Sequence, residues 1–434
     1  MERIIKTLLQ EWKERKLPEV IERDISLDEY LSLKVNKIIV VTGFRRVGKT
    51  YLMLGLTEKE LKNKSREEIV YLNFEDERIP LSTEFLTMLM PAIRQTYDKE
   101  TKILLLDEVQ NIPNWSKWLR RINDTENIKI FVSGSTSKTS SKEIPTELRG
   151  RFLEVKVFPL SFKEFLSFKK LKPDLKNIEY SANEKAKLMK SLGEYLKFGG
   201  LPEITLLDES KKIDTAQSYY QTVIKRDIIE RYKIRNEVAL KALILLLVNS
   251  THYSLTKLYN TVKSLGYEVG KATIQDYVRY IENSYFMFSI PIFSYKIKDQ
   301  LQYPRKAYFI DNVFINSLST KFSKNYGRLY ENVTAIELFR NYEEIFYWRN
   351  QQDEEVDFVV KEKQKINQLI QVCYSVDDVN TKQREVRALL KASKELKCKN
   401  LTIITENYEK EENVEWFGIK RKINFVPLWR WLLQ

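Results

Sequence analysis

The chain has 434 residues, and 43% of them are hydrophobic. A chain of this length is too long to fold around a single hydrophobic core. Its length therefore predicts two or three domains of about 100 to 200 residues each. Lys and Arg outnumber Asp and Glu by 73 to 60, a net charge of +13 that permits a polyanionic partner, although a Lys- and Glu-rich surface of the hyperthermophile type gives the same balance. Cys373 and Cys398 lie too far apart in sequence to indicate a disulfide scaffold or a zinc site, and no apolar run reaches the ~18 residues of a membrane span. We therefore expect a soluble, cytoplasmic protein without a membrane partner.

The first 160 residues show the pattern of an α/β domain. A leading helix is predicted from Ile4 to about Lys16, and apolar runs of strand length follow at 37–42, 68–74, 102–107 and 128–133. Near-continuous apolar strands that alternate with helical segments are typical of a parallel sheet covered on both faces. The pattern predicts a nucleotide-binding domain over residues 1–160.

A phosphate-binding pattern, G-x-x-x-x-G-K-[ST], lies directly after the first of these strands. Its residues are Gly43, Phe44, Arg45, Arg46, Val47, Gly48, Lys49 and Thr50, and Tyr51 continues into the next helix. In this context backbone N–H groups and the helix dipole converge on the phosphates of a nucleotide. Lys49 is predicted to reach the β and γ phosphates of ATP, and Thr50 is predicted to bind Mg²⁺.

Acidic and small polar residues follow the next strands. The strand at 102–107 ends in Asp107, which is predicted to complete the Mg²⁺ shell, and Glu108 is predicted to orient or deprotonate the attacking water. Beyond the strand at 128–133, Ser135 or Ser133 is predicted to sense the γ-phosphate. Arg151 has two interpretations: a finger that completes a neighbour's site in a homo-oligomer, or a surface ion pair.

The middle of the chain is predicted to be mostly helical. Residues 161–233 indicate a helical lid or connector, interrupted by a turn at 199–202. Residues 234–325 give helix, turn, helix and strand, which predicts a winged-helix-like region. Its second helix would present four possible DNA-binding residues, which are Lys271, Thr273, Gln275 and Arg279. An ordinary helical bundle packed on the nucleotide-binding domain explains the same pattern.

The last part, residues 326–434, is predicted to be a second α/β domain. Helices are expected at 330–340 and 381–396, and strands at 344–348, 355–360, 367–374 and 400–404. Alternating strands and helices of this kind need a core of their own.

Four stretches together carry a family resemblance: 43–50, 106–110, 148–151 and 159–165. They resemble the archaeal and bacterial AAA-type ATPases related to the signal-transduction ATPases with numerous domains. The resemblance covers almost the whole chain, and segments 225–232 and 305–311 are also similar to that group. It implies ATP hydrolysis with Mg²⁺, and a C-terminal α/β domain of the restriction-endonuclease-like, PD-(D/E)xK fold.

The resemblance also implies a set of nuclease residues, and the chain departs from it. In such nucleases an acidic residue on a helix, an Asp on a strand and a [DE]-x-K on the next strand hold Mg²⁺ and activate water. Glu331 matches the helix acid and Asp357 matches the strand Asp, but the third element reads Gln371-Val372-Cys373. A carboxylate and the lysine are thus missing, so we expect a degenerate site in a module that binds or assembles without cleaving.

Three functions remain open from the sequence. The first is an ATPase whose nucleotide state drives rearrangements on DNA. The second is a regulatory ATP switch that binds a protein partner. The third is an ATP-regulated DNA nuclease.

Overall fold

The computed structural model of the protein describes residues 1–134, 146–175, 177–178, 180–319 and 325–434. It contains two compact units. The N-terminal unit comprises Met1–Phe158 and Asn283–Tyr285, and the C-terminal unit comprises Pro159–Glu282 and Phe286–Gln434. Within the described residues, no helix is both long enough and apolar enough to cross a lipid bilayer.

The N-terminal unit is built on a parallel sheet, as predicted. Its elements are α1 (Glu2–Glu14), α2 (Asp28–Leu31), β1 (Ile38–Thr42), α3 (Lys49–Glu60), β2 (Ile69–Asn73), α4 (Thr83–Thr96), β3 (Ile103–Asp107), α5 (Trp115–Thr125), β4 (Lys129–Gly134) and β5 (Phe152–Lys156). The strand order is β2-β3-β4-β1-β5, and all the pairings are parallel. Every residue of β1 and β3 is buried, because helices cover both faces of the sheet.

The leading helix α1 belongs to the core of this unit. Its buried residues, at the spacing of one helical face, are Ile5, Leu8, Leu9 and Trp12. The Trp12 indole Nε1 donates a hydrogen bond to the Ile69 carbonyl at 2.6 Å, and its ring lies 5.2 Å from the ring of Tyr71 on β2. The helix is therefore fastened to the edge strand of the sheet.

Gly43, directly after β1, occupies a position that only glycine fits. Its φ is +145°, and a Cβ atom built on it would lie 2.2 Å from the Val157 carbonyl oxygen. Gly43→Ala is therefore expected to lower the free energy of unfolding of the N-terminal unit by about 1–3 kcal/mol, because the backbone must shift. A urea titration measures this change.

Gly193→Ala is the matched control. Gly193 lies inside a helix, and a Cβ atom added to it would meet no other described atom within 4 Å. Alanine there is expected to stabilise by about 0.5–1 kcal/mol, because it is the better helix former. An unchanged midpoint for Gly43→Ala would contradict the close approach of Val157.

The C-terminal unit combines a helical part with two sheets. Its elements are α6 (Phe162–Phe168), α7 (Ala182–Phe198), α8 (Pro202–Leu206), α9 (Glu209–Thr222), a π-helical turn (Val223–Glu230), α10 (Glu237–Val248), β6 (His252–Tyr253), α11 (Leu255–Ser264), α12 (Lys271–Asn283), β7 (Met287–Ile290), α13 (Ile297–Gln302), β8 (Arg305–Phe309), α14 (Asn312–Leu318), α15 (Tyr326–Asn341), β9 (Glu344–Arg349), β10 (Glu355–Glu362), β11 (Lys365–Val372), α16 (Val379–Glu395), β12 (Leu401–Thr405), β13 (Lys410–Trp416), β14 (Ile419–Pro427) and α17 (Leu428–Trp431).

The two sheets of this unit differ in size and pairing. The larger has six strands in the order β13-β14-β12-β11-β10-β9, with parallel pairs in its centre and antiparallel hairpins at both ends. The smaller is antiparallel, in the order β6-β8-β7. Helix α16 packs on the larger sheet through Val386, Leu389 and Leu390, which are part of its core. This mixed α/β architecture agrees with the predicted fold class.

Two sequence motifs of the C-terminal unit have structural roles. Ser161 and Glu164 form a reciprocal capping box that starts α6, because each side chain accepts a bond from the other's backbone N–H. In the turn at 199–202, the Gly200 N–H donates to the Asp311 carboxylate at 2.7 Å. Gly199 has a φ of +72°, and any Cβ there would overlap the Asp311 side chain. The turn is thus held by the residue that also caps α14.

Candidate nucleotide-binding site

The phosphate loop connects β1 to α3 with the geometry that the sequence predicts. Gly48, with a φ of +97°, is the N-cap of α3, and Lys49 and Thr50 are the first residues of the helix. The free N–H groups of this helix end point into the loop. The Lys49 ammonium donates to the carbonyls of Gly43 and Phe44, both at 3.1 Å, so it lies inside the loop.

The other loop residues lie around this centre. Phe44 and Val47 are fully buried and anchor the loop to the core. Arg45 forms an ion pair with Glu75 at 3.1 Å, and Arg46 is exposed with a φ of +69°. Tyr51, in the first turn of α3, is 52% exposed.

Asp107, at the end of β3, accepts hydrogen bonds from three hydroxyl groups. Thr50 Oγ1 and Tyr71 Oη donate to its Oδ2 at 2.6 and 2.9 Å, and Ser133 Oγ donates to its Oδ1. The carboxylate is only 2% exposed. A carboxylate and a hydroxyl in contact are hard oxygen ligands of the kind that Mg²⁺ prefers, so this donor set fits the predicted ion.

Glu108 follows with an unusual backbone conformation. Its φ of +55° is uncommon for a residue other than glycine, and its N–H donates to Ser133 Oγ at 3.2 Å. The side chain is 9% exposed and accepts a hydrogen bond from Gln110. Burial raises the pKa of Glu108, against the opposing effect of Lys49. A carboxylate with a raised pKa is a better proton acceptor.

The predicted γ-phosphate sensor and the predicted arginine finger are the remaining candidates near the site. Ser133 is fully buried and joins Asp107 to Glu108, whereas Ser135 lies outside the described residues. Arg151 is 38% exposed and forms an ion pair with Asp124 at 3.2 Å in its own chain. Its role as a finger stays a prediction.

Tyr71 is a site residue that the sequence analysis missed. It lies in the middle of the buried apolar strand β2, and its ring is 5% exposed. A buried tyrosine needs a partner for its hydroxyl, and this is the signal that could have identified it. Burial, followed by the charge of Asp107, raises its pKa above the usual range, so Tyr71 stays a neutral donor.

The four possible DNA-binding residues all lie on α12, although they differ in exposure. Lys271, Gln275 and Arg279 are exposed, and Thr273 is half-buried. The Lys271 ammonium donates to Thr256 at 2.9 Å, and Arg279 forms an ion pair with Asp276 at 2.8 Å. Both side chains nevertheless remain exposed to solvent.

The proposed degenerate nuclease residues come together only in part. The carboxylates of Glu331 and Asp357 both contact the Lys306 ammonium, at 2.9 and 2.7 Å. Gln371 accepts from the Asp357 N–H at 3.1 Å and donates to Glu385 at 2.6 Å. Cys373 instead donates to the Ser375 carbonyl. The motif at 371–373 lacks its lysine, as the sequence reads, but β8 brings a different lysine to the same carboxylates.

Comparisons with known proteins agree with this geometry. A family model described as an AAA domain matches residues 35–166, and two domains of unknown function, DUF8612 and DUF4143, match residues 189–325 and 326–430. The uncharacterized protein MJ1544 of Methanocaldococcus jannaschii is 40% identical over 428 residues, 96% of this chain and 92% of that protein. An uncharacterized protein of Haemophilus influenzae is 26% identical over 429 residues, 96% of this chain and 99% of its own length.

Among solved structures, the chain is similar to the Walker-type ATPase paby2304 of Pyrococcus abyssi. The identity is 14% and the TM-score 0.46, with 72% of this chain and 99% of that chain covered. The phosphate loop, the Asp107 contacts and the matching AAA domain point to one group, and the relative MJ1544 is similar over almost the full length of the chain. The chain belongs to the AAA-type P-loop ATPases, in one family with MJ1544 of M. jannaschii.

Proposed function

We propose that the protein is a Mg²⁺-dependent ATPase that hydrolyses ATP to ADP and phosphate. The observation that carries the proposal is the direct contact of Thr50 with Asp107 beside the loop lysine, at 2.6 Å. Lys49 would leave the carbonyls of Gly43 and Phe44 and pair with the β and γ phosphates. Mg²⁺, held by Thr50 and Asp107, would neutralise charge on the same phosphates.

Glu108 would act on the attacking water. It follows Asp107 directly, and its buried carboxylate can accept a hydrogen bond from a water that lies in line with the γ-phosphate. The water oxygen bonds to the γ-phosphorus, the bond to the ADP oxygen breaks, and the carboxylate takes or orients the proton. Tyr71 and Ser133 would hold Asp107 in one orientation through their hydroxyl groups.

We also propose that the nucleotide state is coupled to DNA. The supporting observations are the net charge of +13 and the order of α10, β6, α11, α12, β7, α13 and β8, with a sheet order of β6-β8-β7. Two helices followed by two antiparallel strands of a small sheet are consistent with a winged-helix region whose second helix faces DNA. The exposed residues of α12 would then contact the DNA backbone.

The ATPase rate measured with and without DNA tests this coupling. We expect duplex or single-stranded DNA to stimulate phosphate release from the full-length protein in the presence of Mg²⁺. Stimulation by a protein partner only would instead support a regulatory switch. Cleavage of a plasmid in Mg²⁺ or Mn²⁺, lost in Asp357→Ala, would support the nuclease.

Removing the charges of Lys271 and Arg279 tests the proposed DNA surface. The double variant Lys271→Ala, Arg279→Ala is expected to bind duplex DNA more weakly, because each cation releases counterions from a phosphate. The slope of log K against log salt should fall by about 2, at about 0.9 per phosphate contact. Fluorescence anisotropy over a series of salt concentrations measures both.

A second double variant controls for net charge. Lys397→Ala, Lys399→Ala removes the same charge from two exposed lysines beyond α16. It should leave the slope nearly unchanged. Equal slopes for the two double variants would show that α12 is not the DNA surface.

A further inference from the structure

A buried lysine lies at the centre of three carboxylates in the C-terminal unit. Lys306 is on β8, and its side chain is 2% exposed. Its ammonium lies 2.9 Å from Glu331, 2.8 Å from Glu355 and 2.7 Å from Asp357. An ammonium has three N–H donors, so these three residues, here called the carboxylate cluster, use all of them.

The cluster joins separate parts of the fold. Glu331 comes from α15, Glu355 and Asp357 from β10, and Lys306 from the central strand of the small sheet. Burial disfavours the charge of Lys306, but the carboxylates of Asp357 and Glu331 outweigh it and hold its pKa well above the usual value. The lysine therefore stays charged.

Further contacts hold the carboxylates in place. Tyr308 Oη donates to Glu331 at 2.6 Å, the Val372 N–H donates to Asp357 at 2.9 Å, and His252 Nε2 lies 3.1 Å from Glu355. These partners come from β8, β11 and β6. The oxygens are thus fixed around the ammonium by groups on several elements.

The residues of the cluster do not fit a bound metal ion. Mg²⁺ needs oxygen ligands at about 2.0–2.1 Å in a nearly octahedral arrangement. The ammonium is in hydrogen-bond contact with all three carboxylates and so takes the central place. Within the described part of the chain, no group of three or more His, Cys, Asp or Glu residues is arranged to hold a metal.

Burial also argues against a nuclease whose lysine has moved to another strand. A catalytic lysine must reach a phosphodiester, yet Lys306 is 1% exposed and Asp357 is 8% exposed. All of the N–H groups of Lys306 already have acceptors, so none is available for a phosphate. The arrangement is that of a closed ion cluster.

We propose that Lys306 is a built-in cation that replaces a metal ion in the carboxylate cluster and locks β8 to α15 and β10. The cluster then stabilises the C-terminal unit and binds no divalent metal. The proposal is independent of ATP hydrolysis and of DNA binding.

Removing the lysine tests the proposal. In nucleotide-free, full-length Lys306→Ala, we expect a lowered Tm, because three carboxylates lose their cation. Mn²⁺ should then raise the Tm by about 5 °C or more relative to EDTA, at a concentration about 100 times its Kd. The wild-type protein should show no such rise.

Lys212→Ala is the matched control. Lys212 is equally buried in the same unit, but among the described residues it contacts a single carboxylate, that of Glu194, at 2.7 Å. Its removal should lower the Tm without creating a response to Mn²⁺. If folded Lys306→Ala responds to Mn²⁺ no more than Lys212→Ala does, the cluster is not a cation site and the proposal fails.

A second measurement tests the proposal even if Lys306→Ala does not fold. Electron paramagnetic resonance compares Mn²⁺ binding to the wild-type protein and to Asp357→Asn, both without nucleotide. Equal binding supports the proposal, since the lysine already excludes the metal. Weaker binding to Asp357→Asn would mean that the wild-type cluster holds a metal, which overturns it.

Discussion

Lys49→Ala is expected to lower the rate of ATP hydrolysis by about 100-fold or more. The ammonium is 6% exposed and lies inside the loop, against the carbonyls of Gly43 and Phe44. A cation held there stabilises the charge that develops on the transferred phosphoryl group, and loss of one such group typically costs about 100-fold or more. Steady-state phosphate release with saturating ATP and Mg²⁺ measures the loss.

Lys59→Ala is the control for this prediction. Lys59 lies on the same helix, α3, but it is 45% exposed and pairs with Glu22 and Asp28 near solvent. Its removal should leave the rate within about twofold, because exposed ion pairs contribute little. If Lys49→Ala hydrolysed ATP at the wild-type rate, the proposal that this loop is the site of ATP hydrolysis would be wrong.

The nucleotide-binding fold could be predicted from local patterns. Strands β1 to β4 of the parallel sheet are short apolar runs, and the loop motif stands directly between one of them and a helix. Strand β5 has a single buried residue and was not predicted. Each signal is contained in about ten residues, and each was placed within one or two residues of its observed bounds. Asp107 and Glu108 were identified in the same way, by their position at the end of a buried strand.

Contacts between distant residues could not be predicted in this way. Lys306 is separated by 25 residues from Glu331 and by 51 from Asp357, and no local pattern links them. The linear motif at 371–373 correctly indicated that β11 carries no lysine at that point. It could not reveal that the small sheet brings a lysine from β8 to the same carboxylates.

The hairpin of β13 and β14 was missed for a different reason. Residues 410–416 are mostly charged or polar, and the strand they form at the edge of the sheet has no buried residue. The alternation of apolar and polar side chains that identifies a half-buried strand is therefore weak there. Gly418 is the sequence feature that could have indicated the hairpin. It lies with Phe417 in the connecting turn, where their φ values are +76° and +43°.

Glu108→Gln is expected to separate ATP binding from hydrolysis. Glutamine has the same shape and keeps an oxygen that can accept the bond from Gln110, so the loop and Asp107 should stay in place. It cannot accept a proton from water, and loss of a general base typically lowers a rate by about 100-fold to 10,000-fold. We expect single-turnover hydrolysis to fall by about 100-fold or more, whereas the Kd for a fluorescent ATP analogue changes by less than about threefold.

The comparison with Glu100→Gln shows whether the effect belongs to the site. Glu100 precedes β3 at the opposite end from Glu108 and is 75% exposed, so its neutralisation changes the same charge far from the loop. It should leave both ATP binding and turnover nearly unchanged.

Two outcomes would contradict the proposed role of Glu108. If Glu108→Gln lost ATP binding together with hydrolysis, the residue would be supporting the loop through its strained backbone position. If it kept full turnover, a group other than Glu108 would have to orient the attacking water.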